Sequence, residues 1–127
     1  IIPLKEYAKM PYDRDILVRL IVKKEKAAFD YQSVRNSQTD FPVLTCAAAK
    51  TEAGYRFSIG ARPGKAVLFE LADADIQAAD VESMAENAAK CVKEQVETGS
   101  NTRGSAEYRN HLAGVLVRRA VCKLAGK

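Results

Sequence analysis

The stretch that decides the fold is residues 80–97, DVESMAENAAKCVKEQVE. Val81, Met84, Ala85, Ala88, Ala89, Val92 and Val96 recur at the i, i+3, i+4, i+7 spacing of one helix face. Asp80 suits the N-cap, Glu82 suits the positive helix end, and Gly99 is placed to stop the helix. Before Asp80 the apolar period is two and after it 3.6, so strands precede helices. That order predicts an α+β domain: an antiparallel sheet with helices on one face.

Working back toward the N-terminus, Tyr55, Phe57, Ile59 and Ala61 alternate with Arg56, Ser58 and Arg62, a half-buried strand over 55–61. Thr51-Glu52-Ala53-Gly54 reads as a hairpin turn. It joins that strand to a small-residue strand over 43–50. A third strand is expected at 16–23, where Ile16, Val18, Leu20 and Val22 alternate with Leu17, Arg19 and Ile21. Residues 29–40 mix aromatic and polar types without a clear period, and 66–71 suit a hairpin strand or a short helix. Pro63-Gly64 marks a turn. Residues 1–15, broken by Pro3 and Pro11 and kept wet by Lys5, Glu6, Lys9, Asp13, Arg14 and Asp15, read as a linker. The folded domain is then expected over 16–127. Working forward, Ser105 caps a second helix over 105–124, with Tyr108, Leu112 and Leu116 on its buried face.

The chain has 127 residues, 47% of them hydrophobic and 28% charged, which suits one core. No apolar run is long enough to span a membrane. The net charge of +4 is unevenly spread, with an acidic stretch over 70–97 between basic flanks. Either the acidic and basic helices attract each other, or the last helix offers a basic face to a protein or nucleic acid. Tyr108 is the only aromatic on that helix, which argues against nucleic acid. Cys46, Cys91 and Cys122 form no metal-binding spacing and read as reduced cytosolic thiols. His111 lacks neighbours for a metal site. Ser105 and His111 lie six apart and face different ways. No glycine pattern cradles phosphate, so the chain alone is expected neither to catalyse nor to hold a dinucleotide.

Residues 102–121, TRGSAEYRNHLAGVLVRRAV, resemble the signature helix DxRGSAEYRRHLAxVLVRRA of the C-terminal domain of molybdenum hydroxylase flavoprotein subunits. This is the xanthine dehydrogenase and carbon monoxide dehydrogenase family. Residues 31–49, YQSVRNSQTDFPVLTCAAA, resemble its YxKxRxRxSDFAxVxxAxA stretch, and residues 2–17 resemble the end of the preceding FAD-binding domain. The resemblance covers roughly residues 2–124 and is poorest over 62–80. It implies an α+β fold, an antiparallel sheet of three to four strands packed against about three helices, and FAD held mainly by that preceding domain, with a molybdenum cofactor and [2Fe–2S] centres on partner subunits. Electrons would pass through FAD to NAD or another acceptor in a cytoplasmic enzyme. It also places Gln32, Ser33 and Arg35 toward the flavin. Several relatives have a lysine there. Here Gln32 and Ser33 stand in its place, and Arg35 is the nearest cation.

Overall fold

The computed structural model describes residues 1–11 and 14–126. Asp13 of the expected linker and Lys127 of the expected domain lie outside these. The elements run α1 (Leu4–Tyr7), β1 (Ala28–Val34), β2 (Leu44–Thr51), β3 (Gly54–Gly60), β4 (Val67–Leu71), α2 (Asp73–Ile76), α3 (Val81–Gln95) and α4 (Ala106–Ala125). The four strands form one antiparallel meander in the order β1-β2-β3-β4. Two long helices cover one face, and two single-turn helices complete the expected α+β arrangement.

Glu52 and Ala53 form the turn between β2 and β3, and Gly54 pairs with Thr51 across it. Gly54 has φ +125°, and a Cβ there would lie 2.3 Å from the carbonyl oxygen of Leu71. Glycine is therefore required twice: for the backbone angle and for the close passage of the end of β4.

Alternation divides the sheet into two faces. Leu44, Cys46, Ala48, Tyr55, Phe57, Ile59, Phe69 and Leu71 point into the core. Opposite them, α3 buries Ala85, Ala88, Ala89 and Val92, and α4 buries Leu112, Leu116, Val117, Ala120, Val121 and Leu124. The alanines let α3 and α4 pack side by side at close range. Among the described residues the other face of the sheet carries no long helix; toward β3 and β4 the N-terminal segment reaches it, with Lys5 of α1 donating to Glu70 at 2.7 Å and Glu25 lying 3.8 Å from Arg56. Asp80 caps α3 by accepting from the Ser83 N–H at 2.8 Å, and Ser105 caps α4 by accepting from the Tyr108 N–H at 3.2 Å.

Four expectations are corrected. The strand at 16–23 does not form: Arg14–Ala27 carries no strand. Ile16, Leu17, Val18, Leu20, Ile21 and Val22 are 59–87% exposed. A strand needs a ladder partner, and this segment meets none within the described residues. The edge strand comes instead from Ala28–Val34, where Gln32, Ser33 and Val34, expected to be irregular, are extended. Gly99 does not stop α3. The helix ends at Gln95, Val96 turns extended, and the Gly99 N–H donates to the Arg62 carbonyl at 2.5 Å. Tyr108 is 45% exposed, because the first turn of α4 carries it to the rim of the core. The undecided 66–71 region contains β4.

Candidate cofactor-facing site

The site is built at the end of β1. The Val43 N–H donates to the Val34 carbonyl at 2.7 Å, which closes residues 35–42 into a loop. Within it, Arg35 Nη1 donates to the main-chain oxygen of Asp40 at 2.8 Å. The Asp40 carboxylate accepts from the Phe41 N–H at 2.7 Å and from Arg103 Nε at 3.1 Å. Arg103 belongs to a second loop, pinned by reciprocal hydrogen bonds between the backbones of Asn101 and Gly104 at 3.1 and 3.2 Å. Asn36 Nδ2 donates to the Arg103 carbonyl at 3.2 Å, and the Arg103 guanidinium lies 5.3 Å from the centre of the Phe41 ring. Each contact is modest, but together they fix one loop against the other.

Arg109 anchors both loops from below. It is fully buried. Its Nε donates to Val43 O at 2.9 Å, Nη1 to the carbonyls of Gly99 (2.7 Å) and Gly104, and Nη2 to Asn101 Oδ1 at 2.5 Å. No carboxylate is among these acceptors. Burial and the nearby charge of Arg103 pull its pKa down from the usual arginine value. The planar fork reaches four acceptors on two chain segments at once, which a lysine cannot do. Sequence spacing placed Arg109 one turn into the helix but gave no sign of this role. An arginine on the core side of an apolar helix was the available signal.

The three residues expected to face the flavin diverge. Gln32 points to the core side, where its Nε2 donates to Asp30 Oδ2 at 2.7 Å. Ser33 points to the open face. Arg35 stands just past the strand on the exposed loop. The Asp40 carboxylate pairs with Arg103, and Asp40 offers Arg35 only its carbonyl.

Beneath Gln32 lies a second polar group. The Asp30 side chain is 2% exposed and pairs with Lys123 of α4. Burial raises its pKa, but the hydrogen bonds from Lys123 and Gln32, with the Lys123 charge, outweigh this and hold it below 3.8. Cys46 pairs with Gln32 across the sheet. Burial and the charge of Asp30 push its thiol up to about 12.

The open face around Ser33 is low and broad. In register across the strands stand Tyr31, Ala47, Ser58 and Leu68, and beside them Ser33, Thr45 and Gly60. Tyr31 is 62% exposed at the edge of this small-residue floor. Among the described residues no group of three His, Cys, Asp or Glu side chains is placed to hold a metal. Among the described residues no helix is long and apolar enough to cross a membrane.

The sequence profile of the CO dehydrogenase flavoprotein C-terminal domain matches residues 29–124. The chain belongs to that family. Its fold is shared by carbon monoxide dehydrogenase from Hydrogenophaga pseudoflava (TM-score 0.68, 21% identity, 82% of this chain and 38% of that one). Quinoline 2-oxidoreductase from Pseudomonas putida 86 gives a TM-score of 0.66 at 22% identity, over 80% of this chain and 38% of its own. Carbon monoxide dehydrogenase from Oligotropha carboxidovorans gives 0.61 at 19%, over 81% and 38%. The chain thus spans well under half the length of these structures. No curated protein matches it.

Proposed function

We propose that this chain is the C-terminal domain of the FAD subunit of a molybdenum hydroxylase and that its open sheet face packs toward the flavin. The observation that carries this is the floor of Ala47, Ser58 and Gly60, bordered by Ser33, Tyr31 and the locked loop bearing Arg35. Small side chains admit a flat ring, and Ser33 and Arg35 offer donors at its edge. The residues therefore fit the ring portion of FAD. The described residues contain no glycine-rich loop at a helix N-terminus to grip its pyrophosphate, so the main hold belongs to a preceding domain. When bound, FAD supplies the electron relay between iron–sulfur centres and NAD or another acceptor.

In this reading the exposed segment 16–22 is covered by the preceding domain. Its apolar residues fall on both faces, the pattern of a strand enclosed on both sides. The molybdenum cofactor and [2Fe–2S] centres reside on partner subunits, and the assembly is cytoplasmic. The test is Arg35→Ala in the intact enzyme. Losing a fixed positive charge near the ring lowers the flavin reduction potential and slows electron transfer to it, with the molybdenum step unchanged. Unchanged potential and transfer rates would remove Arg35 from the site.

A further inference from the structure

A groove of about 1080 Å³ runs between α3 and α4 on the helical side of the domain, away from the open sheet face. Its walls carry Lys90, Lys93, Arg118, Arg119 and Lys123 against Glu86 and Glu94, five cations to two carboxylates, with His111 beside them. Part of this charge is already used. Arg118 reaches Glu82 at 2.5 Å and Glu86 at 2.9 Å, Lys123 pairs with Asp30, and Lys90 lies 4.0 Å from Glu94. Among the described residues the side chains of Lys93 and Arg119 meet no carboxylate.

The floor is made of small and mid-sized side chains. Ala89, Gly114, Val115 and Cys122 line it. Gly114 lies in the middle of α4, where glycine costs about 1 kcal/mol relative to alanine. Its space is taken by Lys93: a Cβ at Gly114 would lie 2.5 Å from Lys93 Cδ and 3.0 Å from Cγ. The missing side chain thus lets the Lys93 stem lie across the groove and brings its ammonium toward α4. Arg119 follows Gly114 by five residues, or about 7.5 Å along the helix axis.

We infer that this groove docks an acidic amphipathic helix of a partner protein, with carboxylates paired to Lys93 and Arg119. Lys93 and Arg119, the two groove cations that meet no carboxylate among the described residues, call for an acidic partner. This surface is independent of the flavin reading, and it chooses the protein alternative over nucleic acid for the basic helix.

The test uses the full chain and a labelled helical peptide of about six turns with glutamates at i, i+4. Fluorescence anisotropy should show binding that weakens with salt. Lys93→Glu with Arg119→Glu should weaken it by about tenfold or more, while Lys23→Glu with Lys24→Glu leaves it unchanged. Both pairs are exposed, so each variant folds as a circular-dichroism melt would record. Gly114→Ala, which displaces Lys93, should weaken binding in the same direction. Equal loss from the two charge reversals would overturn the proposal. So would equal binding of a glutamine version of the peptide, or tighter binding of a single-stranded oligonucleotide or phosphatidylserine vesicles.

Discussion

Arg109 Nε donates to the carbonyl oxygen of Val43 at 2.9 Å, joining the first turn of α4 to the residue just before β2, 66 positions earlier. The bond is one of four that the buried guanidinium makes, and through them the loops 35–42 and 98–104 share one anchor. A buried cation without a carboxylate is tolerable only because its donors are well occupied by carbonyl and amide oxygens.

Arg109→Met keeps much of the volume and removes the donors. Buried acceptors left unpaired cost roughly 1–3 kcal/mol each, and loop relaxation recovers part of that. The expected loss is about 3–5 kcal/mol, read from the urea midpoint at constant m-value. A loss under about 1 kcal/mol would show that water or the loops replace Arg109 readily.

The apolar face of α4 gives a paired prediction. Leu116 is 1% exposed and Leu112 7%, whereas Tyr108 is 45% exposed. Leu112→Ala and Leu116→Ala should each cost about 2–5 kcal/mol. Tyr108→Ala should cost less than about 1 kcal/mol. Equal costs at Tyr108 and Leu116 would contradict this placement of the helix.

Asp30 sets an acid limit. Its folded pKa lies below its unfolded value of 3.8, because Lys123, Gln32 and the Tyr31 N–H favour the carboxylate over the burial that opposes it. The stabilisation is therefore fully present above 3.8 and is lost as pH falls through the folded value. Asp30→Asn should be less stable at neutral pH, with a flatter decline in acid. Melting temperatures from pH 7 to pH 2, about the span of the titration, would test it; parallel curves would exclude the pair as a pH-linked contact.

Cys46 should be inert in the folded chain. It is 1% exposed and its thiol is pushed up to about 12, while Cys91 and Cys122 are partly exposed. At pH 8, about the working range of thiol reagents, alkylation mapped by mass spectrometry should label Cys46 only after denaturant is added. Labelling of Cys46 at the rate of Cys122 would indicate that β2 opens on that timescale.

Local signals carried much of this fold. The 3.6 period after Asp80, the caps at Asp80 and Ser105, and the turn before Gly54 depend on residues a few positions apart, so the chain states them directly. The flavoprotein signature at 102–121 was legible for the same reason. Ile16–Val22 has the period of a strand too, but a strand exists only with a ladder partner, and pairing is a tertiary fact. Phe29–Val34 has a weaker pattern and becomes β1 because Leu44–Thr51 lies beside it. The division of Gln32 and Ser33 between opposite faces followed from that pairing. So did the capture of Asp40 by Arg103 and the burial of Arg109 among carbonyls from two separate segments. Spacing along the chain encodes periodicity and caps; which distant groups meet is decided only when the sheet and helices close on one core.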